Sequence, residues 1–88
     1  MHLEKKIKKM WNHRVLAIID KHGETYFNIH EVYYNNKTKQ PDGYTANPIT
    51  IGGEDIEALK WTINKIQESL EKPILWGDSR FPMEYQNK

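Results

Sequence analysis

The chain has 88 residues and a mass of 10.5 kDa, below the usual size of one domain, which excludes a two-domain enzyme built around an interdomain cleft. Hydrophobic residues make up 38% and charged residues 28%, with ten aromatics, a balance that predicts a folded globular chain and excludes an intrinsically disordered one. The formal charge is +1, but it is unevenly placed. Lys5, Lys6, Lys8, Lys9 and Arg14 against Glu4 leave four net positive charges in the first fourteen residues, and eight basic against eleven acidic residues follow.

A basic arm therefore precedes a slightly acidic body. A lysine-rich terminus of this kind is ordinarily solvated, with contact to nucleic acid or an acidic partner as the alternative. There is no cysteine, which removes disulfides and fits a reducing, cytoplasmic setting. The longest apolar run, Val15 to Ile19, is five residues, against about twenty for a membrane-spanning helix. Met1 to Met10 is lysine-rich and leads into no signal-peptide core, so neither a span nor a secretory signal is expected. A core this thin commonly leans on self-association.

Residues 1–12 read as the basic arm, with a helical turn over 3–10. His13 to Asp20 is a β-branched, apolar strand, Lys21-His22-Gly23-Glu24 a tight turn, and Thr25 to Tyr34 a second strand, so 13–34 predicts a hairpin. Asn35 to Gly43, ending in Pro41-Asp42-Gly43, concentrates turn formers and predicts a loop. A third strand is expected over Tyr44 to Ile51, at a sheet edge or broken by a bulge because Pro48 cannot donate to a ladder. Its stretch before the proline, Tyr44 to Ala46, and the later Ile74 to Trp76 are the candidate edges for strand addition by another chain.

Gly52-Gly53 closes the sheet region. Asp55 is placed to cap a helix running to about Glu71, before Pro73, with Glu57 favourable in its first turn. Ile56, Leu59, Ile63, Ile66 and Leu70 recur at 3, 4, 3, 4, a single stripe expected to bury against the sheet. Trp61 falls nearly opposite, among Glu57, Lys65 and Glu68, and needs a cover, either the tail or a partner. Pro73 to Trp76 predicts a fourth short strand, and 77–88 an irregular tail anchored by Phe81, Met83 or Tyr85. The expected fold is α+β: a three- to four-stranded, mainly antiparallel sheet in the order β-β-β-α-β, spanning 13–76, with one long helix on one face.

With an even first turn about His22-Gly23, Asp20 pairs with Thr25 and Val15 with His30. Leu16, Ile18, Phe27, Ile29 and Tyr33 then share the more apolar face, which the helix covers. The other face carries His13, Val15, Ala17, Ile19, Tyr26, Asn28, His30, Val32 and Tyr34, a mixed surface suited to a ligand or partner. An odd turn would exchange these assignments. Trp11, His13, Arg14, Tyr26, His30, Tyr34 and Trp61 are the candidate binding residues.

Catalytic chemistry finds little footing. The four histidines have no HxxxH or HExxH spacing, so no metal or other cofactor is expected. His13 and His30 as diagonal neighbours read as sheet histidines before they read as a site. Ser69 and Ser79 have no histidine near in sequence and no elbow motif. Gly52-Gly53 before a helix resembles an anion site, but Glu54 and Asp55 would repel phosphate. The basic arm with Trp11, His13, Arg14, Tyr33 and Tyr34 could meet single-stranded nucleic acid, which the near-neutral balance disfavours.

The order strand, Gly-containing turn, strand, loop, strand, followed by Ile49-Thr-Ile-Gly-Gly-Glu-Asp-Ile-Glu-Ala-Leu59 opening an amphipathic helix that ends at Pro73, resembles the HicB-like antitoxin domain over about residues 13–76. The resemblance implies a reduced RNase H-like layer without catalysis and a protein-binding role. Asp55 stands where that family has threonine, and no DNA-binding module follows. The Trp11-Asn12-His13-Arg14 and Ile29-His-Glu-Val-Tyr-Tyr34 blocks also resemble small uncharacterised bacterial and phage proteins. The functional expectation is a non-enzymatic, dimeric protein-interaction module, antitoxin-like or a phage-encoded inhibitor. The alternatives are a small-ligand or nucleotide binder using the second sheet face and, behind it, a single-stranded nucleic-acid binder.

Overall fold

The computed structural model describes residues 9–86. The expected helical turn over 3–10 lies almost wholly outside them; within them, Met10 already opens the first strand. The elements are β1 (Met10–Ile19), β2 (Thr25–Tyr34), β3 (Pro41–Tyr44), α1 (Ile56–Ser69) and β4 (Leu75–Trp76). They form an α+β fold with one four-stranded sheet in the order β3-β2-β1-β4. β1–β2 and β2–β3 are antiparallel, and β4 runs parallel to β1.

The first hairpin closes on an odd turn, which overturns the expected register. The Asp20 amide donates to the Glu24 carbonyl (2.9 Å) and the Gly23 amide to the Asp20 carbonyl (3.0 Å). The Asp20 carboxylate also accepts from the amides of His22 (2.8 Å) and Glu24 (3.0 Å). Lys21-His22-Gly23 is thus a three-residue loop whose last residue, Gly23, takes a φ of 81° that a side chain would resist. Val15 consequently faces Ile29, and Arg14 faces His30. One face carries Asn12, Arg14, Leu16 and Ile18 with Tyr26, Asn28, His30, Val32 and Tyr34; the other carries Trp11, His13, Val15 and Ala17 with Phe27, Ile29, Glu31 and Tyr33.

The second connection also differs from expectation. Asn35 to Gln40 makes the turn: the Asn35 side chain accepts from Lys37 and Thr38 amides (2.8 and 2.9 Å), and the Asn35 amide donates to Gln40 (2.9 Å). Pro41-Asp42-Gly43, expected in the loop, therefore lies in β3. An edge position tolerates it because the missing N–H of Pro41 costs no ladder bond. Residues 45–51, expected in the third strand, form none. They follow the β2 edge through single bonds, Thr45 N to Glu31 O (3.0 Å) and Ile49 N to Ile29 O (2.9 Å), with Pro48 between.

The Asp55 side chain caps α1 by accepting from the Ala58 amide (2.8 Å), and the helix ends in tight bonds over 70–72 ahead of Pro73. α1 sits on the face of His13, Val15 and Ala17, not on that of Leu16 and Ile18. Its underside is Ala58, Thr62 and the buried Ser69, small side chains that let the helix approach β1, with Ile66 at its border. The stripe is turned sideways, roughly a quarter-turn from that underside. Leu59 and Ile66 are half-buried, whereas Ile56, Ile63 and Leu70 are 63%, 45% and 61% exposed.

The tail covers the opposite face. Leu16, Val32 and Leu75 form the buried core there, with Tyr34, Tyr44 and Phe81 packed on it. Residues 83–85 also bond along β4, Trp76 N to Met83 O (2.9 Å) and Tyr85 N to Ile74 O (2.8 Å). Ile74 to Trp76 is therefore not a free edge, and among the described residues β3 is the uncovered one. Phe81 and Tyr85 act as anchors; Met83 is exposed. No helix among the described residues is long and apolar enough to cross a membrane.

Candidate functional site

The odd register divides the sequence-predicted residues between two faces. Trp11, His13 and Trp61 meet on the helix side. Arg14, His30 and Tyr34 lie on the tail side, and Tyr26, on that same face, stands exposed at the far end of the hairpin. His13 and His30 are therefore not neighbours.

On the helix side the rings of Trp11 and Trp61 close on His13 edge-to-face, with centroids 5.3 and 6.4 Å from the imidazole. The tail does not cover Trp61: Phe81 packs on Tyr44, and Tyr85 on Phe27 and Trp76. Trp61 stays half-exposed, with the Lys65 ammonium 5.6 Å from its ring centre. It stands between two clefts of about 350 and 330 Å³, the first lined also by Lys65, Glu68 and Lys72, the second by Glu31, Thr45 and Ile49.

Glu31 lies directly across from His13 in the ladder, where the expected register had put it on the other face. Its carboxylate accepts from the Tyr33 hydroxyl (2.8 Å), and that bond raises the phenol's pKa. Burial pushes the His13 imidazole below its ordinary 6.5; Glu31 pulls it partly back, and Lys65 adds to the depression. Lys65 and Glu68 pair at 3.5 Å. The result is a neutral imidazole between indoles with its nearby charges matched, a surface that takes flat or apolar groups more readily than an ion. Glu31 was missed because an alternating strand assigns its side only once the turn length is known.

On the tail side Arg14 is buried. Its guanidinium donates to the Tyr34 hydroxyl and to the Pro73 carbonyl, both at 2.8 Å, and Tyr34 donates onward to Asn12 (2.8 Å). His30 donates from Nδ1 to the Thr45 carbonyl (2.9 Å), which makes Nε2 an acceptor when the ring is neutral. Arg14 Nε and His30 Nε2 are both buried without a hydrogen-bond partner among the described residues. No group of three or more metal-ligating side chains occurs among the described residues.

Compared with known protein families, curated proteins and solved structures, the chain matches none.

Proposed function

We propose that the protein is a non-enzymatic interaction module that pairs with a second copy of itself through the outward side of α1. The observation that carries this reading is the balance of apolar surface: eleven large hydrophobic side chains are exposed among the described residues, against five buried hydrophobic ones. Ile56, Ile63 and Leu70 repeat at intervals of seven, the spacing of one seam position in paired helices, with Leu59 and Ile66 at the second. Beside the seam runs a groove of about 260 Å³ lined by Phe27, Ile29, Pro48, Ile49, Ile51 and Ile66. Two α1 helices related by a two-fold axis would each present the same stripe and groove to the other.

The HicB-like resemblance gives that dimer a protein target, in the manner of a cytoplasmic antitoxin or a phage-encoded inhibitor. Such a target would meet the aromatic cleft of Trp11 and Trp61, since exposed tryptophans concentrate binding energy at interfaces. Sedimentation equilibrium at micromolar concentration tests the pairing. A dimer that Ile63→Asp converts to monomer supports it, and a wild-type chain that sediments only at 10.5 kDa overturns it.

A further inference from the structure

Where the start of β1 meets the 35–40 turn and the segment after α1, the structure holds a cleft of about 360 Å³, near the small end of ligand pockets. Arg14, Lys39 and Lys72 line it, with Asn12, Tyr34 and Trp11, and no carboxylate does. Each carboxylate that forms an ion pair among the described residues pairs elsewhere: Asp42 with Lys9, Glu57 with Lys60, Glu68 with Lys65 and Asp78 with Arg80.

Arg14 is the unusual member. It is 8% exposed, two of its N–H groups are held by neutral oxygens, and Nε, sealed from solvent, has no partner among the described residues. A buried charge without a counter-ion is costly, and it is normally kept where something negative completes it. Lys39 supports the same reading, since it is the one non-glycine residue with positive φ (64°) among the described residues, a strained conformation at the cleft rim. Three cations converging with no carboxylate among the described lining residues fit a doubly charged oxyanion, and the Trp11 indole beside them offers a flat surface on which a ring can stack.

We propose that this cleft binds a phosphate monoester carried on a flat ring, a mononucleotide. Arg14 and the two lysines hold the phosphate, Asn12 and Tyr34 orient it, and Trp11 stacks on the ring.

Calorimetric titration with AMP, adenosine and inorganic phosphate at low salt tests the assignment. AMP should saturate one site, with affinity at least about tenfold above either part alone, and weaken steeply as salt rises. The double variant Lys39→Glu, Lys72→Glu should lose about tenfold or more in AMP affinity while its thermal melt stays within a few degrees of wild type. Because Arg14→Gln removes the tie to Pro73 and can unfold the chain, the lysine pair is the deciding variant. No saturable AMP binding at millimolar concentration, equal binding by the double variant, adenosine or phosphate binding as tightly as AMP, or tight binding of a single-stranded oligonucleotide without AMP binding would each overturn the proposal.

Discussion

Replacing Ile63 with aspartate separates a helix stripe that builds the core from one that faces a partner. The periodicity alone predicts collapse, because an unpaired buried charge costs several kcal/mol, comparable with the whole stability of a small domain. The structure predicts a mild effect. Full burial of an isoleucine is worth about 1.5–3 kcal/mol, and Ile63 is 45% exposed, so the substitution forfeits roughly half of that, about 0.75–1.5 kcal/mol. The new carboxylate reaches water, and aspartate and isoleucine differ little in helix propensity. At concentrations where wild type is monomeric the melting temperature should fall by about 3–12 °C, with cooperativity retained. Circular dichroism melts over a range of concentrations, read beside sedimentation, provide the assay. Wild type should melt higher at higher concentration, and the variant should not. The same substitution at Leu16, fully buried on the other face, should abolish folding. An Ile63→Asp chain unfolded at 25 °C would refute the placement of the stripe.

Asp55→Ala removes the side chain that caps α1 and should cost about 1 kcal/mol in denaturant unfolding. Gly53→Ala would set a Cβ 2.6 Å from the Leu59 amide nitrogen and 2.9 Å from the Ala58 carbonyl carbon, backbone that cannot yield, whereas Gly52→Ala meets nothing within 4 Å. The first should lower the melting temperature and the second leave it unchanged. His13, held below its ordinary pKa in the folded state, binds fewer protons folded than unfolded over the window below 6.5. Its contribution is therefore fully present above about pH 6.5 and lost as pH falls through the lowered value, and His13→Gln should flatten the acid limb of the stability curve. Lys39→Gly relieves the positive φ and should stabilise the chain by about 0.5–1 kcal/mol while weakening AMP binding, a split that a purely structural lysine would not produce.

The order β-β-β-α-β, the hairpin, the Asp55 cap and the helix stop were legible because each rests on a local signal: β-branched runs, a Gly turn, a capping carboxylate, a proline. What failed depended on counting one residue. His22-Gly23 suggests a two-residue turn, but Asp20 organises a three-residue loop with Gly23 at its end, and that shift detaches Leu16 and Ile18 from Phe27 and Ile29. The candidate site inherited the error: His13 lies beneath the helix beside Glu31, and Arg14 rather than Val15 stands opposite His30. The stripe itself was read correctly, but its target was not. Periodicity says which side of a helix is apolar, and only the small underside residues Ala58, Thr62 and Ser69 say which side can approach the sheet.

The two faces of this sheet are closed by unlike means, and that difference locates the free surface. On the tail side, Phe81 with Tyr34 and Tyr44 seals Leu16, Val32 and Leu75, so polar groups caught there, Arg14 and His30, are fixed by neighbours and left with unfilled valences. On the helix side a 14-residue helix rests mainly on β1, so Phe27 and Ile51 stay exposed beside it, and of its stripe only Ile66 borders the groove that they line with Ile49. A broader helix footprint would bury that surface, yet it would need large residues where Thr62 and Ser69 allow the close approach over Ala17. The narrow contact and the exposed stripe thus have one cause. Under the proposed pairing a second chain would cover this apolar surface, whereas the proposed mononucleotide would supply the negative charge that no carboxylate among the described lining residues gives to Arg14, Lys39 and Lys72. Trp11 and Lys72 line both the aromatic cleft and the cationic one, so only substitutions confined to the helix stripe, such as Ile63→Asp, should leave AMP binding intact.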